Sequence, residues 1–136
     1  MTNVSTDKGD FPYFTISEDH EALREAVRNV AEDKIAPHAA EADETATFPQ
    51  AAYDALVASD FHAPHIAEEY DGVGADALAT CIVIEEIALV CASSSLIPAV
   101  NKLGTMPLIL SASDDIKAKY LPPVARGDAM FSYCLT

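Results

Sequence analysis

The sequence predicts an all-α fold: an up-and-down bundle of about five to six helices, with one C-terminal β-strand that belongs to a β-domain outside this chain. Half of the 136 residues are hydrophobic, whereas glycine occurs only five times, a balance that favours helices over short strands. Apolar residues also recur at steps of three and four behind N-cap residues. The strand is predicted at residues 129–136, which are β-prone and follow the turn glycine Gly127.

The first helix is predicted to follow a polar tail at residues 1–13. Ser17 precedes a cluster of acidic residues, which suit the positive end of a helix dipole. Pro37 limits this helix, because the residue before a proline avoids helical geometry, and a short second piece continues it. Another helix is predicted from Pro49, at its first turn, to Ser59.

The second half of the chain is predicted to be an irregular connection followed by further helices. Residues 61–74 show few periodic positions. The segment at residues 75–91 is apolar nearly all round, which predicts a helix buried on most faces. A helix from about residue 96 toward 104 comes next, then a short turn from Pro107. A last helix, capped by Ser113, runs into a pair of prolines.

Charge and composition exclude several classes of function. The chain has 22 acidic and 8 basic residues, a net charge of −14, and so lacks the clustered Lys and Arg that bind nucleic acid or an anionic membrane. No clean apolar stretch reaches the ~20 residues that a bilayer requires. Residues 1–12 are polar and acidic, unlike a signal peptide. We expect a cytoplasmic protein with no nucleic-acid partner and no membrane span.

The cysteines and histidines are interpreted as structural. Cys81, Cys91 and Cys134 lack CxxC spacing, which indicates reduced core cysteines. His62 and His65 have a spacing typical of metal ligands, but a proline lies between them and no third ligand is evident. We therefore expect ordinary loop histidines and no metal site.

Two further pairs of residues invite a functional interpretation that their spacing does not support. Gly72 and Gly74 begin like a phosphate loop, but the third glycine and the preceding strand are missing, so they are interpreted as turn glycines. Glu85 and Glu86 point about 100° apart on a helix and cannot form a facing acid–base pair. We expect one of them to form an ion pair with Lys or Arg. No catalytic residue follows from spacing alone.

Two stretches carry a family resemblance: HIAEEYDGVGADALATCIVIEEIA at residues 65–88, and residues 94–136 with the core NKLGTMPLILSASDDIKAKYLPPVARGDAMFSYCLT. Together they resemble the N-terminal domain of the acyl-CoA dehydrogenase family. The shared landmarks are the Glu-Glu-Tyr loop, the acidic pair that ends a buried helix, the Lys-Tyr-Leu-Pro helix end and the Tyr-Cys-x-Thr strand. Ala67 and Asp71 depart from the family's loop pattern.

The resemblance implies a domain organisation, a reaction and a cofactor. Residues 14–128 would form the helical domain, and residues 129–136 the first strand of a middle β-domain. The family oxidises acyl-CoA to trans-2-enoyl-CoA in fatty-acid or branched-chain catabolism, with FAD as cofactor. Tyr133, Leu135 and Thr136 would contact the flavin.

The resemblance also implies a wall of the acyl-chain pocket. Ser95, Ala99 and Leu103, spaced by four on one helical face, would line it, although ordinary helix packing is an alternative. Small side chains at Ser95 and Ala99 would leave room for a medium, long or branched acyl group. The family's catalytic glutamate lies in later domains, so no residue of this chain is assigned a catalytic role.

The partners implied by the resemblance are an acyl-CoA substrate and electron-transfer flavoprotein as electron acceptor. A homo-oligomer, dimer or tetramer, is expected once the missing middle and C-terminal domains, or a complementary subunit, complete the protein. The chain alone is expected to turn over no acyl-CoA. Two alternatives stay open: a stand-alone helical binding module without flavin, and a fragment of an acyl-CoA oxidase.

Overall fold

The computed structural model describes residues 15–135 and confirms the predicted helical fold. The polar tail at residues 1–13 and Thr136 lie outside the described residues. The six α-helices of the described part are α1 (Glu18–Val30), α2 (Ala36–Thr45), α3 (Gln50–Ala58), α4 (Ala77–Val90), α5 (Ala92–Ser111) and α6 (Asp114–Ala125). A π-helical segment, Ala31–Ile35, joins α1 to α2, and a 3₁₀ turn, Glu68–Tyr70, lies between α3 and α4.

The N-terminal cap of α1 follows from local sequence, but the helical path does not end at Pro37. The Ser17 hydroxyl accepts a hydrogen bond from the backbone N–H of His20 at 3.2 Å, as expected for an N-cap. The chain stays helical through Ala31–Ile35 and into α2, which has Pro37 in its first turn. Ala36, before this proline, is itself α-helical, so the prediction that Pro37 ends the helix is wrong; a change to π-helical geometry precedes it instead. The predicted second piece is therefore α2.

Helix α5 is continuous over 20 residues, so the predicted separate turn at Pro107 is wrong. Buried residues recur every three or four positions along the helix: Ser94, Ile97, Asn101 and Thr105. Packing of this face outweighs the local cost of Pro98 and Pro107 within the helix. Helix α6 likewise continues beyond its two prolines to Ala125.

Helix α4 buries one side only, which corrects the prediction of burial on most faces. Ile82, Val83 and Ile87 are buried, whereas Leu78 and Leu89 on the other side are exposed. An apolar sequence shows what a helix could bury, but exposure depends on what packs against it. Helix α5 also exposes three leucines at intervals of seven: Leu96, Leu103 and Leu110.

Two hydrophobic clusters hold the bundle together. The larger cluster joins α1, the π-helical segment, α3, α4 and the start of α5, with Val27, Leu56 and Ile87 fully buried. The smaller cluster packs α6 against the connection between α3 and α4, through Ile66 and Leu121. Each such side chain contributes roughly 1.5–3 kcal/mol by leaving water. The irregular connection is therefore part of the core.

The predicted strand at residues 129–136 is not formed in the part that the structure describes, residues 129–135. A strand requires a neighbouring strand for its backbone groups, and this helical unit offers none. The segment packs against the smaller cluster through Phe131 instead. Within residues 15–135, no helix combines the length and hydropathy needed to cross a bilayer.

Candidate functional site

An apolar groove of about 430 Å³ lies between the N-terminal half of α5, the connection between α2 and α3, and the segment of residues 130–132. It carries no charged side chain, and its polar contributions come from two serines. The residues that line it are Phe48, Pro49, Ser93, Leu96, Ile97, Val100, Met130, Phe131 and Ser132. A groove of this kind suits an alkyl chain better than a charged ligand.

The predicted acyl-pocket residues do not line this groove. Ser95 is buried, and its hydroxyl donates to the Ala92 carbonyl at 2.7 Å. Ala99 is half-buried, and Leu103 is 50% exposed. Steps of four residues rotate by about 40° on a helix of 3.6 residues per turn, so this row drifts from the core to the surface. Their assignment to an acyl pocket stays a prediction.

The groove identifies side chains that spacing alone missed. Leu96 and Val100 follow Ser95 and Ala99 by one position and form the wall on α5, and Phe48 comes from a distant connection. Leu96 and Val100 could have been predicted as groove residues, because they are bulky apolar residues on a helix and lie beside its most buried positions. Phe48 gave no local signal, because its place in the groove depends on the tertiary fold.

The predicted flavin-contacting residues lie beyond the groove. Tyr133 is 44% exposed and Leu135 is 75% exposed, whereas Thr136 lies outside the described residues. Among residues 15–135, the backbone of residues 132–135 makes no hydrogen bond. The last anchored group is the Phe131 N–H, which donates to the Asn101 side-chain oxygen at 3.1 Å.

His62 and His65 are structural, as expected, but both hold the fold from within. His62 Nε2 donates to the Val124 carbonyl at 2.9 Å. Because the Thr105 hydroxyl donates to the Asn101 carbonyl, it accepts from His65 Nε2, at 2.7 Å. Burial lowers the pKa of His65 to about 4, assisted by the charges of Lys102 and His62. The described residues bring no three metal-ligating side chains together.

The predicted ion pair is confirmed at Glu86. This carboxylate is almost fully buried and bonds to Arg24 and to Arg28, the latter at 2.9 Å. Burial opposes its ionisation, but the hydrogen bonds from Arg28 and Arg24 outweigh burial and hold the pKa of Glu86 below its ordinary value. Glu85 also pairs with Arg24, at 2.8 Å.

The prediction of core cysteines holds for Cys91 and is wrong for Cys81 and Cys134, which are exposed. Cys81 lies on the outward side of α4, and Cys134 lies in the segment beyond Phe131. Local apolar sequence could not reveal either exposure.

The interpretation of the two loop glycines is confirmed. Gly74 has a φ of +66°, a conformation that glycine adopts without strain. A Cβ at Gly72 would overlap the carbonyl of Ile66. Asp71, which departs from the family's loop pattern, has a φ of +63° and pairs with Arg126 at 2.6 Å.

Curated relatives and a family model identify the family, and a solved structure shares the fold. Probable acyl-CoA dehydrogenase FadE25 of Mycobacterium tuberculosis is 58% identical over 126 residues, which are 93% of this chain and 32% of that protein. Cyclohex-1-ene-1-carbonyl-CoA dehydrogenase of Syntrophus aciditrophicus is 39% identical over 107 residues, 79% of this chain and 26% of that protein. The chain therefore spans about a third or less of the length of these relatives.

The structural comparison finds a similar fold in a solved structure. A chain from a structure of the electron transferring flavoprotein of Acidaminococcus fermentans superposes with a TM-score of 0.79 at 26% identity, covering 86% of this chain and 31% of that chain. The family model described as acyl-CoA dehydrogenase, N-terminal domain, matches residues 17–128. On this match, the chain belongs to the acyl-CoA dehydrogenase family, and its helices form the family's N-terminal domain.

Proposed function

We propose that this chain is the N-terminal portion of a flavin-dependent acyl-CoA dehydrogenase that converts an acyl-CoA to the trans-2-enoyl-CoA. The observation that carries the proposal is the apolar groove on α5, which adjoins the segment leading to Tyr133 and Leu135. A pocket wall and a cofactor edge would thus lie side by side. The family membership supplies the reaction class.

In this proposal the chain supplies a wall of the acyl site and no base. Leu96, Val100 and Phe131 would contact the alkyl part of the substrate and exclude water from it. Glu86 does not line the groove, and its charge is already neutralised by Arg24 and Arg28. The glutamate that removes the α-proton would come from the later domains of the complete protein.

The segment of residues 132–135 fits the edge of a flavin. Its backbone groups have no partner among residues 15–135, and Tyr133 and Leu135 expose apolar side chains suited to a planar ring. The Thr136 hydroxyl is proposed as a further hydrogen-bonding group. When bound, FAD would accept the hydride from the β-carbon of the substrate.

The wider setting is proposed with the reaction. Residues 14–128 would form the N-terminal domain, and residues 129–136 would begin a β-domain in which they gain strand partners. Electron-transfer flavoprotein would reoxidise the flavin of a homo-oligomeric, cytoplasmic enzyme. Within the acyl pocket, Ser95, Ala99 and Leu103 remain candidates beside the groove residues Leu96 and Val100.

A flavin spectrum of the purified gene product tests this function. We expect flavin absorption bands that bleach when acyl-CoA is added without oxygen, followed by recovery with an electron-accepting dye. A colourless product, alone and with any co-purifying chain, would contradict the proposal and favour a stand-alone binding module. Rapid recovery with oxygen alone, with peroxide formed, would favour an acyl-CoA oxidase.

The 136-residue chain by itself provides a second test. It supplies a wall and no base, so we expect no turnover of acyl-CoA in a dye-reduction assay. Measurable turnover would show that a residue of this chain acts as the base that removes the α-proton.

A further inference from the structure

We propose that Asn101 and Gly104 form a seat on α5 that positions the segment of residues 131–135. Asn101 is fully buried, and Gly104 lies one turn further on the same side of the helix. The relevance of this seat to a flavin rests on the proposed function, because Tyr133 and Leu135 are the residues proposed to contact it. Asn101 and Gly104 are then positioning residues, which act on the cofactor site through Phe131.

The Asn101 side chain joins two segments that have no regular structure. Its amide nitrogen donates to the His62 carbonyl at 3.1 Å, and its oxygen accepts from the Phe131 N–H at 3.1 Å. A buried amide is tolerated only when its polar atoms are bonded. The two partners also fix its orientation, since a flipped amide would set donor against donor and acceptor against acceptor.

Gly104 lets the segment approach the helix closely. A Cβ at this position would lie 2.7 Å from the Cβ of Phe131, closer than real carbon contacts allow. Gly104 lies within α5, so the glycine is required here by the close approach and not by an unusual backbone angle. Phe131 is thus held by a hydrogen bond at its N–H and by direct contact at its Cβ.

Phe131 is the last anchored residue before the proposed flavin edge. Only Ser132 lies between it and Tyr133, and two steps along the chain reach at most about 7 Å at roughly 3.3–3.6 Å per residue. Beyond it, the described backbone makes no hydrogen bond. A displacement of Phe131 would therefore also displace Tyr133. The seat thus determines the position of the residues proposed to contact the flavin.

Amide hydrogen exchange of the 136-residue chain tests the seat without any flavin. In the unsubstituted chain we expect the Phe131 amide to exchange at least about tenfold more slowly than the Cys134 amide. Asn101→Ala and Gly104→Ala should each abolish this difference. Asn101→Asp should retain it at a pH at which the buried carboxyl is protonated, because its hydroxyl then donates to the His62 carbonyl while its other oxygen accepts from the Phe131 N–H.

Two controls separate seating from general stability. Gly104→Ala places a better helix former in α5, so loss of Phe131 protection in this variant cannot come from a weakened helix. Val27→Ala perturbs α1 in the larger hydrophobic cluster, to which neither Asn101 nor Phe131 belongs, and should leave the ratio of Phe131 to Cys134 exchange unchanged. Equal exchange at the two amides in the unsubstituted chain, or unchanged protection in both alanine variants, would overturn the seat.

The role at the cofactor is measured in the flavin-containing gene product. We expect Asn101→Ala and Gly104→Ala each to raise the Kd for FAD by about tenfold or more and to shift the flavin absorption bands, whereas Asn101→Asp retains most of the affinity when its carboxyl is protonated. An unchanged Kd and spectrum in both alanine variants would refute the positioning role. A gene product without flavin would refute the proposed function. Hydrogen exchange would still show whether Asn101 and Gly104 hold Phe131 in place.

Discussion

Two polar clusters, each containing buried polar side chains, hold this domain together in different ways. The ionic cluster, formed by Arg24, Arg28 and Glu86, joins α1 to α4 through side chains alone. The neutral cluster consists of His62, His65, Asn101 and Thr105, and lies between α5, α6 and the irregular connections. The ionic cluster joins helices that already satisfy their own backbones, whereas the neutral cluster bonds the backbone of segments that do not.

This difference indicates which cluster holds the irregular segments beside the groove in place. Arg28 is 49% exposed, so it can turn to water if its partner is lost. The His62 carbonyl and the Phe131 N–H have no such alternative while their segments stay docked, because Asn101 is their side-chain partner inside the protein. Buried backbone groups in irregular segments require dedicated partners. We therefore expect the neutral cluster to be harder to replace.

The largest effect is expected for Asn101→Leu, which keeps the side-chain size and removes both hydrogen bonds. It leaves a buried carbonyl without a partner, at about 1–3 kcal/mol, and a half-buried N–H without a partner, at a smaller cost. We expect the free energy of unfolding, measured by urea denaturation, to fall by about 2–4 kcal/mol. A loss below about 0.5 kcal/mol would mean that the two segments find other partners at little cost.

Acidification should weaken the neutral cluster before the ionic one. The pKa of His65 falls from 6.5 to about 4 on folding, so the folded state disfavours its protonated form. This contribution is complete above pH 6.5 and is lost as the pH falls toward 4. The shift corresponds to about 3 kcal/mol, and partial exposure of the ring reduces the expected loss to about 2 kcal/mol.

The comparison with His65→Gln isolates this effect. Between pH 6.5 and 4 the unsubstituted chain should lose more stability than the variant, by urea denaturation at each pH. Glu86 acts in the same direction but at lower pH: its lowered pKa gives stability above its ordinary value of 4.5, which is lost as the pH falls below that value. Parallel curves for chain and variant between pH 6.5 and 4 would contradict the assignment to His65.

A smaller effect is expected for Glu86→Leu, the matched replacement in the ionic cluster. The leucine fills a similar volume, Arg24 keeps its ion pair with Glu85, and Arg28 is half-exposed. No charge is then left buried without a partner, which is the condition that makes the loss of one partner costly. We expect a loss in the free energy of unfolding of less than about 1.5 kcal/mol. If Glu86→Leu costs more than Asn101→Leu under the same conditions, the ranking of the two clusters is wrong.

The two clusters also differ in how far sequence could predict them. The ionic cluster follows from an acidic pair on a helix that also buries Ile82 and Val83, a pattern that requires a basic partner. Asn101 gave no such signal, because its partners are 39 and 30 residues away in segments without periodicity. Local patterns predicted caps and helices, such as the cap at Ser17.

The groove escaped prediction for the same physical reason. It brings together Phe48, Leu96 and Met130, which only the tertiary fold makes neighbours. The continuity of α5 through Pro107 also depends on tertiary packing rather than on local propensity. Sequence periodicity therefore predicted the helices well, whereas the shape of the site depends on contacts between distant segments.

The smallest effect is expected for Asp71→Gly. This substitution tests whether an ion pair stabilises the irregular connection between α3 and α4. The substitution removes the ion pair of Asp71 with Arg126, in which both side chains are largely exposed, and such pairs contribute little. It also relieves the positive φ of Asp71, which glycine adopts without steric cost. We expect an unchanged or slightly higher Tm by thermal unfolding.

Asp71→Ala is the matched control, because it removes the same charge but keeps the steric cost, and its Tm should fall below that of Asp71→Gly. Equal losses of Tm in both variants would show that the ion pair itself holds the connection, and that charge contributes there alongside the neutral cluster.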